Sequence, residues 1–277
     1  MNNPTIAFIG AGNMATALIG GLIADGTDPQ TIIAADPDGE RLQALAAGTG
    51  IRTLQENAAA VAQADVVVLA VKPQVLEAVA RDLADAVQQH HPLVLSIAAG
   101  VRSDTLQHWL GGQVALVRSM PNTPAMLQAG ATGLFATADV NEQQRDQAEK
   151  VMRAVGLTIW VEHEDLMDAV TALSGSGPAY LFLVIEAMES AAIGLGLPAE
   201  TARLLTLQTA LGAARMAMES QDDPATLRQR VTSPGGTTER ALDRLEEDGL
   251  RELFRHALTA ARDRSRELSR QLDTTQD

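Results

Sequence analysis

The 277-residue chain contains no cysteine, which excludes disulfides, thiolate metal ligands and cysteine nucleophiles. Aromatic residues make up only 3% of the chain, and Tyr180 is the single tyrosine. Lysine occurs only at Lys72 and Lys150, although the chain has 21 basic residues. An enzyme that depends on a tyrosine or lysine proton donor therefore has almost no candidate residue in this sequence.

Positive charge is scarce as well, with 21 Lys and Arg against 35 Asp and Glu, a net charge of −14. Non-specific binding to nucleic acid or to an anionic membrane needs the opposite balance. The apolar run that starts at Thr5 has no basic lead, and no uninterrupted apolar stretch approaches the ~20 residues of a membrane span. The five histidines lack metal-ligand spacing. We expect a cytoplasmic protein that binds no metal, nucleic acid or membrane.

Strand-like and helix-like segments alternate in the first part of the chain. Six apolar runs predict strands: Thr5–Ile9, Thr31–Ala35, Val66–Val71, Leu93–Ile97, Val114–Val117 and Thr132–Phe135. Helical patterns separate them, including Asn13–Ala24, an alanine-rich stretch from Ala44 to Ala64, and Gln74–Gln89. This alternation predicts a parallel sheet with right-handed crossovers, and therefore an α/β domain over residues 1–163.

From Glu164 onward the sequence contains no convincing strand. The predicted helices are Gly177–Gly194, Pro198–Ser220, Ala225–Arg230, Thr238–Glu247 and Leu250–Leu272. Two of them begin after or at a proline, which is favoured in a first helical turn. We therefore predict a second, all-helical domain over residues 164–277.

A glycine-rich segment of the form G-x-G-x-x-A, Gly10 to Ala15, lies between the first strand and the first helix. The first glycine permits a tight turn, the second lets the backbone approach a pyrophosphate, and the helix N-terminus offers free N–H groups. An ordinary structural βα turn is the alternative interpretation. The predicted dinucleotide-binding residues are Gly10, Ala11, Gly12, Asn13 and Met14.

An acid follows the second predicted strand, at Asp36. A carboxylate at that place normally accepts hydrogen bonds from the adenosine ribose and disfavours a 2′-phosphate. The alternative is that Asp36 caps the turn that Pro37 begins. Arg41 is close enough in sequence to offset the repulsion, so the residues leave both NADH and NADPH open.

The ends of two further strands face the same crevice, because ligands bind beyond the carboxyl ends of parallel strands. One of the two lysines, Lys72, directly follows the predicted strand Val66–Val71, where a solvated surface lysine is the alternative. Small residues end the next strand and suit a backbone that passes close to a nicotinamide. The cofactor-binding residues predicted from these two segments are Ala70, Val71, Lys72, Pro73, Ala98, Ala99 and Gly100.

Two segments of the second part of the chain carry further signals. Val231–Glu239 contains Ser233-Pro-Gly235-Gly236-Thr237-Thr238, whose backbone N–H groups predict an anion nest suited to a carboxylate. A helix N-cap with a capping box is the alternative. Ser174–Tyr180 is rich in small residues, which favours close packing over contact with a nicotinamide edge.

Taken with the order of these segments, the sequence closely resembles the pyrroline-5-carboxylate reductases. The matching blocks are Gly10–Ala15, Ala70–Pro73, Ser96–Gly100, Met120–Pro124, Ser174–Tyr180 and Val231–Leu242. The resemblance covers nearly the whole chain and implies a Rossmann-like dinucleotide-binding domain followed by an all-α dimerisation domain. It also implies hydride transfer from NAD(P)H to 1-pyrroline-5-carboxylate, which gives L-proline.

The resemblance assigns roles residue by residue. It implies that the Thr238 hydroxyl, the catalytic group, hydrogen-bonds the substrate ring nitrogen, and that Glu164 and Thr237 border the substrate. The predicted nest adds Ser233, Gly235 and Gly236 to the substrate-binding residues. The resemblance places Asn57 near the adenosine ribose and Arg230 against the cofactor. On family grounds NADPH is favoured over NADH. The family also implies a homodimer through the helical domain and, in many members, a decamer of five dimers.

Two other functions compete with this one. A β-hydroxyacid dehydrogenase shares the glycine-rich start and the helical second half, but it needs a catalytic lysine that Gly177–Gly194 lacks. A non-catalytic NADPH-binding regulator would be expected to lose the chemistry of the Ser233–Thr238 loop, which is intact.

Overall fold

A sheet of eight strands forms the centre of the computed structural model, which describes residues 4–273. The strands are Ile6–Ile9 (β1), Ile32–Ala35 (β2), Arg52–Leu54 (β3), Val66–Leu69 (β4), Leu93–Ser96 (β5), Leu116–Met120 (β6), Gly130–Ala136 (β7) and Gly156–Trp160 (β8). Their order in the sheet is β3-β2-β1-β4-β5-β6-β7-β8. The order reverses between β1 and β4, which is the place where α/β sheets bind ligands.

The first six strands run parallel, as the sequence predicts. β7 is antiparallel to β6 and β8 is parallel to β7, so the last two strands correct the prediction of a wholly parallel sheet. Only residues 121–129 connect β6 to β7. A parallel crossover needs a dozen or more residues, whereas this short connection reverses the chain direction.

Seven helices belong to the first part of the described chain: Asn13–Ala24 (α1), Gly39–Thr49 (α2), Asn57–Val61 (α3), Pro73–His90 (α4), Ser103–Trp109 (α5), Glu142–Arg153 (α6) and Leu166–Val170 (α7). They cover both faces of the sheet. In β1, Ile6 and Phe8 pack into one apolar cluster, and Ala7 and Ile9 pack into the other. This alternation follows from the two-residue period of a strand.

The prediction of one helical stretch from Ala44 to Ala64 is wrong in its middle. α2 ends before Gly50, which adopts the left-handed conformation with φ of 74°, and the chain then pairs as β3 with β2. Three residues at a sheet edge carry too short a pattern to stand out from an alanine-rich sequence. β3 was missed for this reason, and β8, at the other edge of the sheet, was not predicted either.

The helices of the second part lie within one residue of their predicted bounds. They are Gly177–Gly194 (α8), Ala199–Glu219 (α9), Pro224–Arg230 (α10), Thr237–Glu247 (α11) and Leu250–Asp273 (α12). The chain forms two compact units, of which one ends at Ser176 and resumes at Ala261, and the other is Gly177–Ala260. The predicted domain division at residue 163 follows the change in sequence pattern instead, and it stays a prediction.

The helices of the smaller unit expose much apolar surface. Leu181, Phe182 and Leu183 in α8 are each more than 60% exposed. By length and composition, the continuous helical run Leu166–Gly194, of 29 residues and mean hydropathy 1.3, would suffice to cross a bilayer. Helices that bury their apolar faces against a second protein molecule meet the same test. We therefore expect that another surface packs against the exposed apolar side chains of α8.

Candidate active site

Four predicted cofactor-binding segments meet at the carboxyl edge of the sheet, because β2, β1, β4 and β5 are neighbours. Backbone hydrogen bonds tie these segments to the adjacent strands. The Gly10 amide donates to the Ala35 carbonyl (2.7 Å), and the Ala70 amide donates to the Ile9 carbonyl (2.8 Å). The glycine-rich turn is thereby fixed between the ends of β2 and β4.

Gly10 and Gly12 of the turn require glycine for different physical reasons. Gly10 has φ of +96°, and a Cβ there would lie 2.8 Å from the Ala70 carbonyl oxygen. Gly12 has an ordinary φ of −74°, and a Cβ there would meet no described atom within 4 Å. Gly10 is therefore required by the protein itself, whereas Gly12 keeps an open space free in front of the helix.

The residues around that space fit a dinucleotide. Gly12 is the N-cap of α1, and its first turn has neither an acidic residue nor a side-chain cap among residues 4–273, so its N–H groups and dipole suit a phosphate. The buried Oδ1 atom of Asn57 has no hydrogen-bond partner in the described part of the chain. Since buried polar atoms are normally paired, this one indicates a missing donor such as a ribose hydroxyl.

We expect Gly12→Ala to weaken NAD(P)H binding by about tenfold or more, because the new methyl group fills the space in front of the α1 amides and removes a charged hydrogen bond of ~1.5–3 kcal/mol. The melting temperature should not fall, since the backbone conformation suits alanine. Fluorescence titration with NADPH and a thermal melt measure the two effects. Gly20→Ala, elsewhere in α1 and also unobstructed, is the matched control. Equal NADPH affinity in both variants would contradict this placement of the pyrophosphate.

Asp36 is buried and its carboxylate is fully engaged. Oδ2 accepts the Ala11 amide (2.8 Å), Oδ1 accepts the Asp38 amide (2.9 Å), and the Arg41 guanidinium lies 3.2 Å from Oδ2. Burial raises the pKa of Asp36, but the two amides and Arg41 outweigh it, so the pKa lies below its ordinary value. Asp36 thus organises the glycine-rich turn, and its role at the ribose stays a prediction.

The ends of β4 and β5 lie beside a cavity of about 500 Å³ in the larger unit. Pro73, Ala99 and Gly100 line it, as predicted for the nicotinamide side, together with residues that the sequence reasoning did not nominate: Gln74, Thr171, Ser176, Ala261, Arg264, Ser265, Leu268 and Gln271. Lys72, at the N-cap of α4, is exposed and forms no ion pair within residues 4–273. The C-terminal part of α12 therefore completes one wall of the cavity.

A buried polar contact holds α12 in this place. The Ser265 hydroxyl donates to Asp168 Oδ1 (2.7 Å), and the Arg266 guanidinium lies 3.6 Å from Asp168 Oδ2. A Cβ on Gly100 would lie 3.8 Å from the Leu268 Cβ. No local pattern predicts these contacts, because they join residues 97 or more positions apart.

The small residues at the start of the second part pack against the end of β6. A Cβ on Gly175 would come within 2.6 Å of the Met120 Cε. The Asn122 side chain donates to the Ser174 carbonyl (3.0 Å) and accepts the Ala131 amide (2.9 Å). Thr171–Gly175 is a π-helical turn, a feature frequent at functional sites. Gly175 thus serves close packing, which the sequence favours for this segment.

Glu164 lies at the centre of a buried ionic cluster in the larger unit. Its carboxylate accepts the Ser103 amide (2.7 Å), the Ser103 hydroxyl (2.8 Å) and Arg118 (2.5 Å), with Arg102 at 3.4 Å. Its side chain is 11% exposed and that of Arg118 is 9% exposed. The cluster connects Arg118 in β6 with Ser103 at the start of α5 and with Glu164, which lies just before α7. Glu164 therefore has a structural role as well as its predicted role at the substrate.

The predicted carboxylate-binding loop lies in the smaller unit. Gly235 has φ of 72°, and its amide donates to Glu239 Oε2 (2.6 Å). Gly236 is the N-cap of α11, and Thr238 is exposed in its first turn. The loop therefore already holds one carboxylate, which agrees with an anion nest and with a helix cap alike. Arg230, the predicted cofactor contact, pairs with Asp222 within the same unit.

Among residues 4–273, no three His, Cys, Asp or Glu side chains are grouped as metal ligands. The smaller unit carries a hydroxyl-rich loop, and the larger unit offers an anion-binding turn with an adjacent cavity of small walls. Such a site suits a redox cofactor that supplies the chemistry while the protein orients it.

Comparison with known proteins decides the family. A family model described as pyrroline-5-carboxylate reductase dimerisation matches residues 164–268, and one described as NADP oxidoreductase, coenzyme F420-dependent, matches residues 5–100. The pyrroline-5-carboxylate reductase of Pseudomonas aeruginosa is 52% identical over 272 residues, which cover 98% of this chain and 99% of that protein. This chain belongs to the pyrroline-5-carboxylate reductase family.

Solved structures agree with this assignment. The pyrroline-5-carboxylate reductase of Coxiella burnetii is 51% identical, with a TM-score of 0.94 over 97% of this chain and 99% of that one. The Plasmodium falciparum pyrroline carboxylate reductase, solved with NADP bound, is 27% identical, with a TM-score of 0.85 over 97% and 99% of the two chains. The predicted family, and a fold in which an α/β dinucleotide-binding part precedes a helical dimerisation part, are confirmed.

The reductase is therefore an NAD(P)H-dependent oxidoreductase, and its dimerisation domain supports a homo-oligomer. The roles predicted for single residues stay predictions. Arg118, Ser103, Asp168 and Ser265 were not predicted at all, because their partners are distant in the sequence.

Proposed function

We propose that this reductase transfers a hydride from C4 of the NAD(P)H nicotinamide to the C=N carbon of 1-pyrroline-5-carboxylate. The ring nitrogen takes a proton, and the products are L-proline and NAD(P)⁺, so the reaction is the last step of proline biosynthesis. The observation that carries this proposal is the 52% identity to a pyrroline-5-carboxylate reductase over 98% of the chain.

The larger unit supplies the cofactor site in this proposal. The pyrophosphate lies on the α1 amides from Gly12 to Met14, and Asn57 offers its unpaired Oδ1 to a ribose hydroxyl. The cavity beside Pro73, Ala99 and Gly100 takes the nicotinamide. Cofactor chemistry then needs little from the protein except orientation, which contributes up to roughly 7–11 kcal/mol in favourable systems.

The substrate carboxylate binds at the Gly235–Thr237 turn, where it replaces the Glu239 carboxylate on the Gly235 amide. The Thr238 hydroxyl hydrogen-bonds the ring nitrogen. A cyclic imine protonates in water near neutral pH, and the protonated C=N bond accepts a hydride readily. The scarcity of tyrosine and lysine therefore does not hinder the reaction. We assign Glu164 and Ser233 to substrate binding as well, and Glu164 also holds the buried Arg118.

The test is the absorbance of reduced nicotinamide with purified protein. We expect oxidation of NADH or NADPH only after 1-pyrroline-5-carboxylate is added, with proline as the product. 1-Pyrroline, which lacks the carboxylate, should react much more slowly because it cannot use the Gly235–Thr237 turn. Absence of turnover with both nucleotides would refute the proposal.

The assembly and location follow the same proposal. The helices of residues 164–277 form a homodimer, five of which make a decamer, and each dimer covers the exposed leucines and Phe182 of α8. The protein works in the cytoplasm with residues 1–163 as its cofactor domain, and its net charge of −14 keeps it from nucleic acid and anionic membranes. The mass of the purified protein by light scattering tests this assembly.

A further inference from the structure

We propose that Asp38, acting through Arg41, makes this reductase favour NADH over NADPH, the reverse of the preference that the family resemblance implies. The proposal rests on the cofactor site proposed above, and it concerns the short segment that follows β2. Three charged side chains meet there: Asp36, Asp38 and Arg41.

Asp36 is not free to discriminate between the two nucleotides. Its two oxygens are taken by the Ala11 and Asp38 amides and by Arg41, and only 5% of the residue is exposed. A change at Asp36 would disturb the glycine-rich turn before it altered the ribose site. The discrimination therefore falls to the side chains around it that solvent and ligand reach.

Arg41 is the cation of this group, and its side chain is half exposed. One guanidinium nitrogen lies 3.2 Å from Asp36 Oδ2, and another lies 3.3 Å from Asp38 Oδ2. Two carboxylates thus share one positive charge, and Glu40 adds a third acid next to it in the sequence. Asp36, Asp38, Glu40 and Arg41 together carry a net negative charge.

A 2′-phosphate would have to draw Arg41 away from Asp38, and the freed Asp38 carboxylate would then repel it. A 2′-hydroxyl meets neither cost. Because Asp38 is 44% exposed, this competition takes place near the solvent, where a charge pair changes affinity by a few-fold and not by orders of magnitude. The arrangement therefore gives a modest preference for NADH that one substitution at Asp38 can shift.

The substitution is Asp38→Asn. Asp38 also caps α2, since its Oδ1 accepts the Arg41 amide (3.1 Å), and asparagine caps helices equally well. The variant removes one charge and leaves the helix start in place. The intact protein is titrated with 2′,5′-ADP and with 5′-ADP in a calorimeter, which reports binding without turnover.

We expect Asp38→Asn to bind 2′,5′-ADP about three- to fivefold more tightly, with the affinity for 5′-ADP unchanged. Arg41→Ala should weaken 2′,5′-ADP binding. The double variant, with Asp38→Asn and Arg41→Ala together, should lose the tighter 2′,5′-ADP binding that Asp38→Asn gives alone. Asp28→Asn is the matched control, because Asp28 caps the Pro29–Thr31 turn at the opposite end of β2.

Each outcome has a definite meaning. An unchanged ratio of the two affinities in Asp38→Asn, or the same shift in Asp28→Asn, overturns the role of Asp38 while the cofactor site stands. If neither nucleotide binds the wild-type protein, the cofactor site itself is misplaced and both proposals fail. The ratio of kcat/KM for NADH and NADPH should move with the binding ratio.

Discussion

Replacing Glu164 with alanine is expected to lower the free energy of unfolding by about 3–5 kcal/mol, the usual cost of breaking a buried ion pair from one side. The variant leaves the Arg118 guanidinium buried without its counter-charge, and it strips the Ser103 amide and hydroxyl of their acceptor. Denaturant unfolding of the wild-type protein and the variant, followed by circular dichroism, measures the difference.

The control for this prediction is Glu77→Ala. Glu77 pairs with Arg81 across one turn of α4 near the solvent, where such a pair contributes only a few tenths of a kcal/mol. The measurement also separates two roles of Glu164. A variant that unfolds like the wild-type protein but turns over slowly would show that Glu164 serves the substrate alone, and that the cluster with Arg118 contributes little.

Thr238→Ala should lower kcat by about 10- to 100-fold, the equivalent of a hydrogen bond to a charged group of ~1.5–3 kcal/mol. The hydroxyl is proposed to touch the ring nitrogen as it changes from imine to amine, so its loss affects the reacting centre. Thr238 is exposed in the first turn of α11, and alanine suits a helix, so folding should not suffer. Steady-state kinetics with 1-pyrroline-5-carboxylate gives kcat.

Thr238→Ser provides the control, because it keeps the hydroxyl and should retain most of the activity. Cofactor affinity, from fluorescence titration, should be the same in all three proteins. If kcat of Thr238→Ala stays at the wild-type value, another group contacts the ring nitrogen. If cofactor affinity falls in parallel with kcat, the residue contributes to the nucleotide site instead.

The sequence predicts those features whose signals are local. The G-x-G-x-x-A turn and the helices of the second part are specified by residues that are neighbours in the chain, and the helix bounds agree to within one residue. The fold class and the cofactor crevice follow from them, since strand ends in a parallel sheet share an edge.

Features that depend on distant residues could not be predicted. Arg118 and Glu164 are 46 positions apart, and Asp168 and Ser265 are 97 apart, so nothing in either local sequence indicates the partner. The same holds for β3, which becomes a strand only by pairing with β2. Asp36 illustrates both cases. Its position at the end of β2 follows from the sequence, whereas its hydrogen bonds to Ala11 and Asp38 depend on how the turn folds.

The return of α12 to the larger unit has a consequence for the newly made chain. On the ribosome, the sheet and its helices emerge before Arg264, Ser265 and Leu268, which form one wall of the cavity. A chain cut short before Ala261 would possess every glycine of the nucleotide turn and still lack one side of the cavity. The cavity is thus complete only after α12 has been synthesised.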